Sequence, residues 1–307
     1  MNLKIAKFVS DFTKNWKNLD WWRERYINNV LRRLLRNLGT YVMNEEWDVL
    51  IILDACRYDV FKKYNTINGR LEYRFSRGSS TKEFLIQNFL RHPYRKNFLD
   101  TVYVTANPFV DLLLSGKFHK IYSVWRYGWD DNLNTVPPTI IAKESLKAYY
   151  ANPDKRLIIH FMQPHSPFIG TKHFLEFGFR QLREAALSGK ANANDTGWWQ
   201  LARRNKLDIS QVWQAYKQNL QFVLPVVKNL INNLGGKIVV TSDHGNLFGE
   251  KPHFLYPFSE FGHPSGLYVE QLVKVPWLIV NKKVSETMKE KRRIKMKISR
   301  IKNNLVV

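Results

Sequence analysis

The sequence predicts a doubly wound α/β fold, a mostly parallel sheet flanked by helices. Three observations carry that expectation. Short apolar runs recur as Val49-Leu50-Ile51-Ile52-Leu53, Leu157-Ile158-Ile159-His160-Phe161-Met162 and Ile238-Val239-Val240-Thr241. They are continuous rather than alternating, as strands covered on both faces are. Stretches with apolar residues at three- and four-residue steps lie between the runs, so strands and helices alternate. Lastly, each run stops on groups able to do chemistry: Asp54, His165 in Pro164-His165-Ser166-Pro167, and Asp243-His244 after Ser242. Open α/β sheets bind their ligands just beyond the carboxyl ends of strands.

Taken in order, residues 1–43 form a basic segment. Trp21, Trp22, Tyr26, Val30, Leu34 and Leu38 share one helical stripe there, suited to packing on the main domain or to lying on a membrane surface. The main domain spans 44–281. After the first strand come a helix over Asp59–Tyr64 and the loop Ser76-Arg77-Gly78-Ser79-Ser80-Thr81, which opens a further helix at Phe84. Ser80 with Glu83 matches a capping box. A hydroxyl at such a helix start also meets free amides and a positive dipole, which favour its ionised form. Strands are expected at Val102–Thr105 and Lys120–Val124 with a helix over Pro108–Leu114 between them, and another helix at Thr139–Tyr150. Residues 170–206 lack this periodicity and read as an insertion, in the manner of a lid. Ile209–Leu234 is a long helix containing Pro225, and it feeds the strand before Ser242. Val275–Val280 is the last strand, and residues 282–307 are a basic tail.

The 307 residues carry 48 Lys and Arg against 26 acids, a formal charge of +22. Residues 1–43 hold nine cations against three acids, and residues 282–302 hold ten against two. Such flanks suit an anionic membrane surface or a polyanionic substrate. No recognised nucleic-acid motif accompanies the charge, so no nucleic-acid partner is expected. Cys56 is the single cysteine, which excludes a disulfide framework and a multi-cysteine zinc site and fits a reducing compartment. With no apolar run of the roughly 18 residues a membrane span needs and no signal-peptide pattern at the N-terminus, a cytoplasmic location is expected, with peripheral membrane contact.

Five elements in order resemble the alkaline phosphatase superfamily. They are Leu53-Asp54, Gly78-Ser79-Ser80-Thr81 before a helix, Pro164-His165-Ser166-Pro167, Thr241-Ser242-Asp243-His244-Gly245 with Gly249-Glu250, and Gly262-His263-Pro264. The match is greatest to its sulfatase-like and phosphoethanolamine-transferase-like branch and covers residues 47–281. The resemblance implies a sulfatase-like α/β catalytic domain and a metal-dependent hydrolase or transferase of phosphate or sulfate esters acting through a covalent seryl or threonyl intermediate. Asp54, Asp243, His244 and the nucleophilic hydroxyl would hold one divalent ion: zinc, manganese, calcium or magnesium. Ser79 is the first choice for that hydroxyl and Thr81 the alternative. His165 and His263 would hold the substrate's oxygens, one of them protonating the leaving group. The implied substrate is an anionic ester, glycan- or lipid-linked. Cys56-Arg57-Tyr58-Asp59 is not the Cys-x-Pro-x-Arg that yields formylglycine, so that aldehyde is excluded. Gln163 stands where two-metal relatives carry an Asp, so a second ion would bind more weakly. The competing expectation is a non-catalytic protein on the same scaffold that holds an anionic polymer or membrane.

Overall fold

The computed structural model describes residues 3–171, 180–188, 197–204, 206–291 and 293–294. Its centre is a seven-stranded sheet built from β1 (Val49–Leu53), β2 (Arg70–Phe75), β3 (Phe98–Thr105), β4 (Phe118–Ser123), β5 (Arg156–Phe161), β6 (Gly236–Thr241) and β9 (Lys274–Lys282). The strand order is β2-β9-β6-β1-β5-β3-β4. The block β6-β1-β5-β3-β4 is parallel, whereas β9 runs antiparallel to both β6 and β2. The sheet is therefore mixed and mostly parallel, flanked by helices.

The continuous apolar runs are explained by two-sided burial. Val49, Ile51 and Leu53 join Ile159 and Val240 in a core completed by Ile141 and Ala148 of helix Pro138–Ala151 and by Tyr216, Leu220 and Val223 of helix Ile209–Asn232. Leu50 and Ile52 face the other way with Ile158 and Val239, against Phe84, Leu85, Phe89 and Val110. Each such side chain contributes roughly 1.5–3 kcal/mol when fully buried. The parallel register sets Ile51 opposite both Ile159 and Val240, so β1, β5 and β6 end along one edge. Asp54, Met162 and Ser242 follow directly.

Two features depart from the sequence expectation. Strand β2 is one the hydropathy pattern does not announce, because Arg70, Glu72 and Arg74 alternate with Leu71, Tyr73 and Phe75 on an exposed edge. It is specified by pairing with β9 rather than by burial. Similarly, the aromatic-rich loop after Gly245 contains a small hairpin of β7 (Leu247–Glu250) and β8 (Glu260–Gly262).

At the N-terminus, helices Leu3–Asn15 and Leu19–Tyr26 form a helical hairpin, and the second runs on through a π turn at Ile27–Leu31. The expected stripe is not the packed face. Leu34 and Leu38 are 57% and 87% exposed, whereas Ile27 and Leu31 are buried against Leu247, Tyr256, Leu267 and Leu272. Arg23, Ile27 and Leu31 recur every four residues, one position off the aromatic stripe, and this row fits the domain surface. Of the basic tail, residues 292 and 295–307 lie outside the described residues, as do 172–179, 189–196 and 205 of the insertion.

Candidate active site and metal centre

Asp54 and Asp243 are both fully buried at the ends of neighbouring strands β1 and β6. The turn after β1 is fixed by Tyr216, whose hydroxyl donates to Ala55 O (2.8 Å) and accepts from Arg57 N (2.9 Å). The Ala55 amide in turn donates to Asp243 Oδ1 at 3.1 Å. Ser242 ties the two strand ends together, its hydroxyl lying 2.6 Å from Leu53 O and 2.8 Å from the Cys56 amide. Gly245 cannot be replaced without disruption: a Cβ there would sit 2.0 Å from Gln271 O. His244 Nδ1 lies 2.7 Å from Gly245 O, so a proton on Nδ1 leaves the Nε2 lone pair directed into the site.

Four groups meet there. His244 Nε2 is 3.5 Å from Asp54 Oδ1, 3.5 Å from Asp243 Oδ2 and 3.1 Å from Thr81 Oγ1. Thr81 Oγ1 is also 3.4 Å from each Asp54 oxygen. His160 of β5 approaches Asp243 Oδ2 with its Nε2 at 3.8 Å, and ligand atoms of Asp54, His160 and Asp243 all lie within 4.8 Å of one another. Atoms bound about 2.1 Å from one tetrahedral ion stand about 3.4 Å apart, so these spacings suit a single divalent cation. Two further observations fit the same group. Asp243 Oδ2 and His160 Nε2 are buried without a hydrogen-bond partner, a costly arrangement that a shared cation relieves. Burial pushes the Asp243 carboxyl up, yet His244, His160 and the Thr81 hydroxyl hold it below the usual carboxylate range. Burial also lowers His160 to about 4, which leaves a neutral imidazole at neutral pH.

The two candidate hydroxyls separate cleanly. Ser80 is the N-cap of the helix that opens at Thr81, accepting from the Glu83 amide at 3.4 Å. Glu83 does not complete the predicted box to Ser80. Its Oε2 instead accepts from both the amide and the hydroxyl of Ser79, at 3.0 Å each, and from the Gly266 amide at 3.1 Å. Ser79 Oγ also lies 2.9 Å from Pro264 O and 2.9 Å from the Gly266 amide. Ser79, the first choice from the sequence, lies before the cap and is held by Glu83 and the loop after His263. Thr81, the first helical residue, is the hydroxyl that faces Asp54 and His244. Gly78 permits this loop, since a Cβ would come within 2.2 Å of the Phe84 amide nitrogen.

His165 and His263 lie beside this group. Their Nε2 atoms are 2.9 Å apart, and His165 Nδ1 lies 2.7 Å from Ser166 O. With the His165 proton on Nδ1, His263 is the donor in the pair. Burial lowers His165 to about 4. Burial, then the neighbouring His244 and His165, places His263 well below its ordinary value. The His263 ring is 4.5 Å from that of His244, centroid to centroid, so the pair adjoins the acidic cluster. Glu250 stands apart from it and pairs with Arg57. Gln163 turns its amide nitrogen to Val136 O at 3.3 Å. Burial drives the Cys56 thiol well above its ordinary value, with Asp59 and Asp243 adding to the effect, so it is inert at neutral pH.

Four contributors escaped the sequence reading. His160 is one polar side chain inside an apolar strand, which is its visible signal. Asn107, just past β3, donates to Asp54 Oδ2 at 3.0 Å. Trp199, brought in by the insertion helix Trp198–Arg203, meets the His263 ring edge-on at 5.1 Å. Asn219 interrupts the apolar face of the long helix. It is fully buried, and its amide nitrogen donates to Pro164 O (3.1 Å) and His165 O (2.9 Å), while its oxygen accepts from Ile169 N (3.2 Å). Asn219→Ala therefore strands buried carbonyls and is expected to cost about 1–3 kcal/mol, read as a lower urea midpoint at unchanged slope. A variant as stable as the parent would show that the His165 loop holds itself.

No sequence-family model matches the chain, and no curated protein does. Among solved structures, it is similar to the C-terminal periplasmic domain of phosphoethanolamine transferase EptC from Campylobacter jejuni, at 16% identity and TM-score 0.42, covering 76% of this chain and 78% of that one. It is also similar to the integral membrane lipooligosaccharide phosphoethanolamine transferase A from Neisseria meningitidis, at 14% identity and TM-score 0.46, covering 94% of this chain and 60% of that one. A third likeness is to a protein in the alkaline phosphatase superfamily from Vibrio parahaemolyticus, at 9% identity and TM-score 0.40, covering 85% and 69%.

Proposed function

We propose that the chain is a divalent-metal-dependent transferase or hydrolase of phosphate or sulfate esters, with Thr81 as its nucleophile. The observation that carries this reading is the placement of the Thr81 hydroxyl, 3.1 Å from His244 Nε2 and 3.4 Å from both oxygens of Asp54 inside a buried cluster. Asp54, Asp243 and His244, with His160 beside them, would hold the ion. Bound there, it would supply the positive charge that favours ionised Thr81 and the oxygens of the transferred group.

Thr81 Oγ1 attacks the central phosphorus or sulfur, and the bond to the ester oxygen breaks as the new one forms. The hydroxyl's proton leaves to solvent, the departing alkoxide takes the Nε2 proton that His263 donates to His165 at 2.9 Å, and the pair regains a proton from the water or acceptor hydroxyl that attacks next. A water or an acceptor hydroxyl then attacks the same centre from the other side and frees Thr81. Ser79 and Glu83 act on Thr81 and His263 through position, because they clamp the helix start to the loop after His263. An anionic ester carried on a lipid or glycan is the substrate class we assign.

The test is a panel of chromogenic phosphate monoesters, phosphate diesters and sulfate esters, each with zinc, manganese, calcium or magnesium. Turnover of one ester class, lost with chelator and restored by one of the ions, is the expected result. A pure protein that binds no ion and turns over none of the panel would instead support the non-catalytic reading.

A further inference from the structure

We infer that the N-terminal helical hairpin is a docking surface for an anionic lipid bilayer. The inference rests on the proposed function only for its purpose, since docking itself needs no turnover. Among the described residues, exposed large apolar side chains crowd one short stretch: Val9, Phe12, Trp16, Leu19 and Trp22 are 37–53% exposed. They form one patch. Phe12 packs edge-on against Trp22 at 6.0 Å, and the Trp22 indole nitrogen donates to Trp16 O at 2.8 Å. Asn18 caps the second helix, and Arg25 pairs with Asp11 across the hairpin at 2.7 Å, so the patch is presented as a unit.

The packed face of the same helix lies elsewhere. Ile27 and Leu31 anchor it on the domain, and Tyr26 donates to Leu255 O at 2.6 Å. Between hairpin and loop runs an apolar groove of about 480 Å³ lined by Leu19, Trp22, Tyr26, Val30 and Phe258. An exposed apolar surface of this extent marks an interaction site.

Charge selects the occupant. Over residues 9–38, exposed Lys14, Lys17, Arg32, Arg33 and Arg36 outnumber Asp11, Asp20 and Glu24, while Arg23 is buried on the domain and Arg25 is paired with Asp11. Tryptophans with interleaved cations are what an interfacial helix presents to anionic headgroups. The helices are 13 and 8 residues long, and no described helix is long and apolar enough to cross a membrane, so the hairpin would lie on the surface. The placement also has a use. Arg23, Ile27 and Arg32 of this helix line a cavity of about 330 Å³ together with Trp199, His263 and Ser265. A helix is about 10 Å across, so a docked hairpin holds that cavity one helix width from the headgroups.

The experiment uses the full chain and vesicles of phosphatidylcholine alone or mixed with phosphatidylserine. Cosedimentation with the mixed vesicles, weakened by salt and accompanied by a blue shift of tryptophan emission, is expected. The double variant Trp16→Ser/Leu19→Ser should lose about tenfold or more of that association. Lys14→Glu/Lys17→Glu should lose the preference for anionic vesicles. Both variants alter exposed side chains outside the catalytic cluster and should turn over a soluble chromogenic ester as the parent does. A parent chain that ignores both vesicle types, variants that bind as well as the parent, or a preference for single-stranded RNA over anionic vesicles would each overturn the proposal. A parent chain that docks but turns over no ester would defeat the proposed reaction and leave the docking surface standing.

Discussion

Thr81→Ala is expected to abolish turnover, with a loss of about 10⁴-fold or more, as removal of a covalent nucleophile does elsewhere. The hydroxyl is buried beside Asp54 and His244, and no other hydroxyl among the described residues makes those contacts. Thr81→Ser keeps the attacking oxygen and should recover most of the rate. Ser79→Ala should behave differently. It removes the contacts to Pro264 O, Glu83 and the Gly266 amide, so it loosens the loop that carries His263. The expected result is a destabilisation of about 1–2 kcal/mol with a modest rate loss. Equal and complete inactivation by both alanine variants, with both folded by circular dichroism, would count against the separation of roles.

Asp243→Asn should empty the metal centre. A neutral amide removes the charge of a carboxylate that lies fully buried beside Asp54 and holds one oxygen without a hydrogen-bond partner. Ion bound per chain, measured on protein dialysed against excess zinc or manganese, should fall from near one to a small fraction. Thermal stability supplies an independent reading. A ligand that binds only the folded state at about 100 times its dissociation constant adds about 2.7 kcal/mol, so the parent should melt higher with the ion than with chelator. The Asn variant should show no such difference. His160→Gln is expected to weaken ion binding by about 10–100-fold, the range seen when a residue orienting or completing a metal site is lost. A parent chain whose melting is indifferent to every divalent ion would contradict the assignment of this cluster.

Much of this organisation is legible in the sequence, for a physical reason. Strands buried on both faces must be continuously apolar, so β1, β5 and β6 announce themselves, and the polar residues that end them mark one sheet edge. Strand β2 is not legible because its position is fixed by pairing with β9 far along the chain, and the β7–β8 hairpin is not because its strands are only four and three residues long. The same limit applies to the hydroxyls. Ser79 and Thr81 both follow Gly78, and only the start of the helix decides which one turns toward Asp54. His160 is hidden by its strand, where a lone histidine in an apolar run reads equally well as a core residue. Trp199 lies in the stretch with the least periodicity, and its approach to His263 follows from how Trp198 stacks on Phe248, 5.1 Å away. In the N-terminal segment, the hydropathy stripe is real, but Ile27 and Leu31 one position away make most of the packing, with Tyr26 at its side, and leave Trp22, Leu34 and Leu38 outside.

In the proposed reaction Thr81 carries the transferred group. Reacting the metal-loaded protein with the best ester from the panel, quenching in acid within one turnover and mapping the modified peptide by mass spectrometry tests it most directly. A phosphoryl or sulfuryl adduct on Thr81, lost in Thr81→Ala and retained in Ser79→Ala, is the predicted result. An adduct on Ser79, or steady turnover with no adduct on either hydroxyl, would contradict it.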